Sequence, residues 1–214
     1  MTTELQDEVD KLRTWLTTNR HVDKYDTWWT EPGVVATVQT FLAAVRPDEW
    51  TEQHVTDLLY LLEVSSTGYL AELVAQDESA ALVVARHSLA RGCPAGDDLA
   101  EQLGHCTQHR DDAIALLIEF AHDDHERTRR MALLSLARLG SDAVPALAVT
   151  AWETGDEYQQ IGALSALATI GSDQLPAYLL AAEKDGREHL VQYARKCAAG
   201  LASGGEAAAA PTNT

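Results

Sequence analysis

The chain is short of positive charge. Its 214 residues contain 16 Lys plus Arg against 33 Asp plus Glu, a formal charge of −17 with histidine neutral. Proteins that wrap DNA or RNA draw most of their non-specific affinity from clustered Lys and Arg that neutralise phosphates, so this balance argues against a nucleic-acid partner. The same deficit argues against docking on anionic lipid. Cysteine is scarce as well: Cys93, Cys106 and Cys197 form an odd set without framework spacing, as expected of reduced thiols in a cytoplasmic protein. No apolar run approaches the roughly 20 residues that span a bilayer, and the stretch from Met1 to Glu8 lacks the basic region and apolar core of a secretory signal.

The motifs of common chemistries are also missing. There is no Gly-x-Ser-x-Gly elbow, no Walker or Rossmann glycine loop and no Cys-x-x-Cys knuckle. Alternating β-branched runs joined by hairpin turns do not occur. A chain of this length buries enough apolar surface to fold without metal or disulfide. The expectation is therefore an all-α protein with no catalytic residue, no metal and no cofactor.

What is present is a repeat. The stretch Met131–Leu147 laid over Gly162–Tyr178, a shift of 31, is identical at nine of 17 positions, among them Ala132/Ala163, Leu133/Leu164, Leu136/Leu167, Gly140/Gly171, Ser141/Ser172, Asp142/Asp173 and Pro145/Pro176. Leucines at helical spacing predict a first helix flanked by small residues. Gly140 and Gly171 fall where a helix ends in a left-handed residue; Ser-Asp offers capping oxygens to the next helix, and Pro145 and Pro176 sit in its first turn. Each unit reads as helix, tight turn, helix, and a fixed period of this length marks a solenoid.

Residues 129–147, Arg-Arg-x-Ala-x-x-x-Leu-x-x-Leu-Gly-Ser-Asp-x-x-Pro-Ala-Leu, closely resemble the HEAT-like repeats, in particular the short variety of phycobilin lyase subunits. The resemblance is clearest over 126–153 and 157–184. A further unit begins at Arg187 with Tyr193, Ala194, Ala198 and Leu201 in register, and Val84–Arg91 echoes a first helix upstream, although Gly92-Cys93-Pro94 departs from its ending. It implies a right-handed α-solenoid over residues 81–202. Residues 1–80 read as a helical part of divergent repeats or a cap, with apolar stripes at Leu5, Val9, Leu12 and Leu16, at Val34, Val38, Phe41, Leu42 and Val45, and at Val55, Leu58, Leu59 and Leu62. Residues 203–214 lack large apolar side chains and read as a disordered tail.

Two clusters suggest metal ligation without supporting it. His122-Asp-Asp-His-Glu126 resembles the His-Glu pairs of deoxyhypusine hydroxylase, a HEAT-like family, but that family's pairs lie further into the first helix, where this chain has Arg130-Met131 and Ile161-Gly162. Capping of an inter-repeat turn is the simpler reading. Cys93, His105, Cys106 and His109 lack zinc spacing, and Cys106 fits a small buried residue.

The candidate contact residues are acids and aromatics: Asp123, Asp124 and Glu126 in one inter-repeat turn, Trp152, Glu153, Asp156 and Glu157 around the next, and Trp28-Trp29 in a non-helical segment between Asn19 and Gly33. Trp152 reads as a cover for the seam between repeats or as an exposed contact spot; the Trp28-Trp29 segment reads as a cap or a binding loop. The resulting expectation is a non-catalytic scaffold whose second helices line a concave acidic surface that receives a basic protein, as an adaptor or an immunity-type inhibitor. The phycobilin lyase resemblance implies an alternative, the handling of a small molecule or prosthetic group, with a pocket near Trp28-Trp29. A third reading, a role like that of the HEAT-like alkylpurine DNA glycosylases, is disfavoured by charge.

Overall fold

A computed structural model of the chain describes residues 2–18, 31–65, 68–93 and 95–208. Among these there are twelve α-helices and no strand. They are α1 (Thr2–Thr18), α2 (Glu31–Ala44), α3 (Glu52–Val64), α4 (Tyr69–Val74), α5 (Glu78–Arg91), α6 (Gly96–Leu103), α7 (Arg110–Phe120), α8 (Glu126–Arg138), α9 (Val144–Glu153), α10 (Glu157–Thr169), α11 (Leu175–Asp185) and α12 (Glu188–Ala208). None of these helices is long and apolar enough to cross a membrane.

The repeat's glycine turns form as their residue type dictates. Gly140 has φ 64°, and the chain reverses through Gly140 N–H donating to Ala137 O and Ser141 N–H donating to Leu136 O, both at 3.0 Å. Thirty-one residues on, Gly171 at φ 63° repeats this, with Ser172 N–H donating to Leu167 O at 2.9 Å. The Ser-Asp pairs do not cap the next helix as expected: Ser141 Oγ accepts from Ala143 N–H at 3.3 Å and Ser172 Oγ from Gln174 N–H at 3.2 Å within the turn, and the N-cap positions of α9 and α11 are Ala143 and Gln174, just ahead of Pro145 and Pro176. Gly92-Cys93 was the ending that departs from the pattern in sequence. It nevertheless closes α5 in the same manner, with φ 60° at Gly92 and Cys93 N–H donating to Ser88 O at 3.1 Å, because any residue in the position after the glycine can supply the donor.

The helices alternate between two rows. In the first row α2, α4, α6, α8, α10 and α12 touch in succession; in the second, α1 touches α3, α3 touches α5 and α5 touches α7. Helices α9 and α11 extend the second row by bridging α8 to α10 and α10 to α12. The alternation thus runs back into the N-terminal part, whose sequence shows no repeat. Its stripes face inward: Leu5, Val9, Leu12, Val34, Val38, Phe41, Val55, Leu58, Leu59 and Leu62 are all buried. The echo of a first helix at 84–91 is corrected by this arrangement, since α5 stands in the second row, between α3 and α7.

No break separates the N-terminal part from the repeats. The boundary at 80/81 falls inside α5, whose Ala80 and Val84 belong to the apolar cluster built from α1–α6 while Ala81, Leu82 and Ala85 belong to the one running on to α12. At the other end α12 continues to Ala208, past the boundary read at 202; residues 209–214 lie outside the described residues.

Close approach within the first row depends on a column of small residues one period apart. Gly104 just after α6, Ser135 and Ala166 in the last turns of α8 and α10, and Cys197 in the middle of α12 follow one another at intervals of 31 residues. At the tightest point a Cβ on Gly104 would lie 2.5 Å from Ser135 Oγ.

Glu78 ties neighbouring repeats together. Its carboxylate accepts from the backbone N–H groups of Thr107 at 2.8 Å, Gln108 at 2.9 Å and His109 at 2.8 Å, which open the turn into α7. These backbone donors hold the Glu78 carboxyl below the ordinary glutamate value of 4.5. A depressed folded pKa means that the stabilisation is complete above 4.5 and is lost as the pH falls through the lower folded value. Glu78→Gln is expected to lower stability by about 1 kcal/mol at neutral pH, in the range of a lost helix cap. In urea titrations the gap from wild type should close on acidification well below 4.5.

Candidate functional site

The two acidic turns singled out in sequence lie on one edge of the stack, because both connect a second-row helix to the next first-row helix. They are physically joined: Gln159 at the start of α10 is buried and donates through Nε2 to Glu126 O at 2.8 Å and to Glu126 Oε1 at 3.0 Å. The same edge continues to the turn before α12. There Arg187 Nη1 donates to Gly155 O at 2.9 Å, Arg187 Nη2 donates to Gln160 Oε1, and Leu190 N–H donates to Glu157 Oε1 at 3.1 Å.

Most of the candidate acids are engaged in building this edge. Asp123 Oδ1 accepts from His125 N–H at 2.8 Å and sits 3.1 Å from His125 Nδ1. Glu126 pairs with Arg130 Nε at 2.9 Å. Asp156 caps α10 by accepting from Tyr158 N–H at 2.9 Å and Gln159 N–H at 3.0 Å. Asp124 and Glu153 differ: both are exposed, and neither carboxylate has a partner among the described residues. The turn's backbone is held by Arg129 Nη1, which donates to the carbonyls of Asp123 and Asp124 at 2.8 Å each.

Trp152 is half-buried, packed edge-on against Tyr178 with ring centroids 4.9 Å apart, and leans on the repeat core. It fills the space between α9 and α11, which corresponds to the seam-covering reading. Trp28 and Trp29 lie outside the described residues, and so does the pocket that a small-molecule role would place beside them.

The metal-like clusters are distributed among local partners. His122 Nδ1 lies 2.8 Å from Ile118 O, His105 Nε2 accepts from Arg138 Nη1 at 2.9 Å, and His109 Nε2 lies 3.3 Å from Ser79 Oγ. Cys106 is buried, and burial pushes its thiol up to about 11. Among the described residues no three His, Cys, Asp or Glu converge.

Sequence reasoning passed over the outer surface of the second-row helices. Residues 143–152 and 174–182 contain no charged residue, in a chain whose net charge is −17. On this surface Ala146 and Thr150 of α9 and Ala177 and Leu180 of α11 are exposed, Leu180 to 58%. Val149 and Leu180 are one period apart in sequence, Val149 half-buried and Leu180 exposed. The uncharged strip is bordered by Asp142 and Asp173 at one end and by Glu153 and Lys184 at the other, all exposed and without a partner among the described residues. Its signal was legible in sequence as two charge-free stretches.

Arginines, in contrast, are almost all engaged within the chain. Arg91 pairs with Glu52, Arg127 with Asp97 at 2.5 Å, Arg187 with Asp185 at 2.6 Å and Arg195 with Glu183 at 2.9 Å, while Arg110 Nη2 donates to Leu139 O at 2.6 Å. Hydrogen bonds from Arg187 and Arg195 hold the Asp185 and Glu183 carboxyls below the usual carboxylate range.

Comparison with protein families gives one match: the family described as HEAT repeats, over residues 98–168 and 114–202. No curated protein and no solved structure matches the chain.

Proposed function

Because residues 98–202 make this chain a HEAT-repeat protein, we propose that it is a non-catalytic scaffold that holds a basic protein partner, as an adaptor or as an inhibitor that masks a basic enzyme. The observation that carries this reading is the asymmetry of free charge. The described arginines are largely neutralised by acids and carbonyls of the same chain, while Asp124, Asp142, Glu153 and Asp173 remain exposed and unpartnered among the described residues. The exposed surface therefore presents a negative field to approaching molecules, which speeds encounter with positive ones. A rigid stack supports such a role, since its face is formed before the partner arrives.

The test is capture from native lysate on the immobilised full-length protein at low ionic strength, followed by stepwise salt. Partners rich in Lys and Arg, released as salt screens the interaction, are the expected result. Recovery of acidic partners only, or retention indifferent to salt, would overturn the charge-based reading.

A further inference from the structure

We propose that the outer surface of α9 and α11 is the docking strip for that partner, and that its occupant is a basic amphipathic segment with an apolar anchor rather than a merely polycationic one. The proposal rests on the scaffold reading above and adds the place and the chemistry of the contact. Leu180 is a large apolar side chain left 58% exposed on a folded surface. It lies in register with Val149 one repeat earlier, and the exposed Ala146 and Ala177 beside them leave room for an incoming side chain. An apolar strip of this kind gains free energy when a partner's apolar residue covers it, whatever the salt concentration.

The border of the strip selects the charge of the occupant. Asp142 and Asp173 occupy equivalent places ahead of α9 and α11, and Glu153 closes the far end of α9. All three are exposed and lack a partner among the described residues. Lys184, one period after Glu153, is the exposed base at the far end of α11, so the free acids around the strip outnumber it three to one. A segment with Lys or Arg flanking an apolar residue matches both features at once, the rim by charge and the centre by burial.

The test uses the full chain and two labelled synthetic peptides of equal charge, one a Leu/Lys amphipathic helix and the other polylysine, with binding read by fluorescence anisotropy. The Leu/Lys peptide should bind more tightly than polylysine. Leu180→Asp should weaken the Leu/Lys peptide by about tenfold or more, the loss typical of an anchor contact, while polylysine binds no more weakly, since the added acid attracts it. Leu180→Ser, which removes the exposed anchor without adding charge, should weaken the Leu/Lys peptide in the same direction and leave polylysine unchanged.

If both peptides bind equally, salt-sensitively and without response to Leu180→Asp, the docking strip is wrong while the charge reading stands. If the Leu/Lys peptide responds to Leu180→Asp and polylysine does not bind at all, the strip stands and the charge reading falls. Should neither peptide bind, both fall. A wild-type dimer in sedimentation that Leu180→Asp converts to monomer would make the strip a self-interface and overturn the proposal.

Discussion

Truncating Leu136 to alanine is expected to cost about 2–5 kcal/mol of folding stability, the range for removing a fully buried leucine from a packed core. Leu136 is 0% exposed, in the middle of α8, which packs on α6, α7, α9 and α10. The cost combines lost burial with the cavity left behind, because helices held on several sides cannot all collapse inward. In a stack where each unit touches only its neighbours, location also decides how far damage spreads. Leu190 is equally buried but belongs to α12, which packs against α10 and α11 at the end of the described stack. Leu190→Ala should therefore loosen α12 and leave α6–α8 protected, whereas Leu136→Ala should lower protection on both sides of α8. Urea denaturation gives the total loss, and native-state hydrogen exchange gives its distribution. Equal protection profiles for the two variants would contradict the nearest-neighbour picture.

Alanine at Gly104 is expected to destabilise by about 1–3 kcal/mol, the cost of overpacking. The reason is space and not backbone freedom, since Gly104 has φ −65°, open to any residue. A Cβ there would meet Ser135 Oγ at 2.5 Å, Ser135 Cβ at 2.7 Å and Arg138 Nη1 at 3.0 Å. Arg138 can swing away, but Ser135 is fixed to the α8 backbone, so α6 and α8 must separate. Ser135→Gly removes the obstructing side chain at about 1 kcal/mol of helix propensity. The double variant Gly104→Ala/Ser135→Gly should then be less destabilised than the sum of the single variants, as measured by a thermal or urea cycle. Additive losses would mean that the two positions are not in the contact described.

How much of this was readable beforehand depends on the range of the interaction. The Gly140 and Gly171 turns, the serine hydroxyls that follow them and the prolines of α9 and α11 each involve residues within about one turn of each other. Such features follow from residue type and spacing. The inward stripes of α1, α2 and α3 were legible for the same reason, as helical period alone identifies a buried face.

The acidic candidates show where that legibility ends. Asp123 and Asp156 are engaged by donors two or three residues on, but Glu126 and Glu157 also receive Gln159 Nε2 and Leu190 N–H from the next repeat, which no local stretch reveals. Trp152 joined the candidates because a tryptophan at a helix end reads equally as cover or contact until Tyr178 is placed against it.

By itself, then, the amino-acid sequence determined the all-α class, the period, the turn chemistry and the negative sign of the charge, because each is encoded in a few neighbouring residues or in a sum over all of them. The tertiary structure alone decided that α5 stands in the second row, that a Cβ on Gly104 would collide with Ser135 between α6 and α8, and that α9 and α11 meet through Trp152 and Tyr178. These depend on which helices meet about 31 residues apart, and such meetings are chosen by the packing of the whole stack, which no local stretch of the chain specifies.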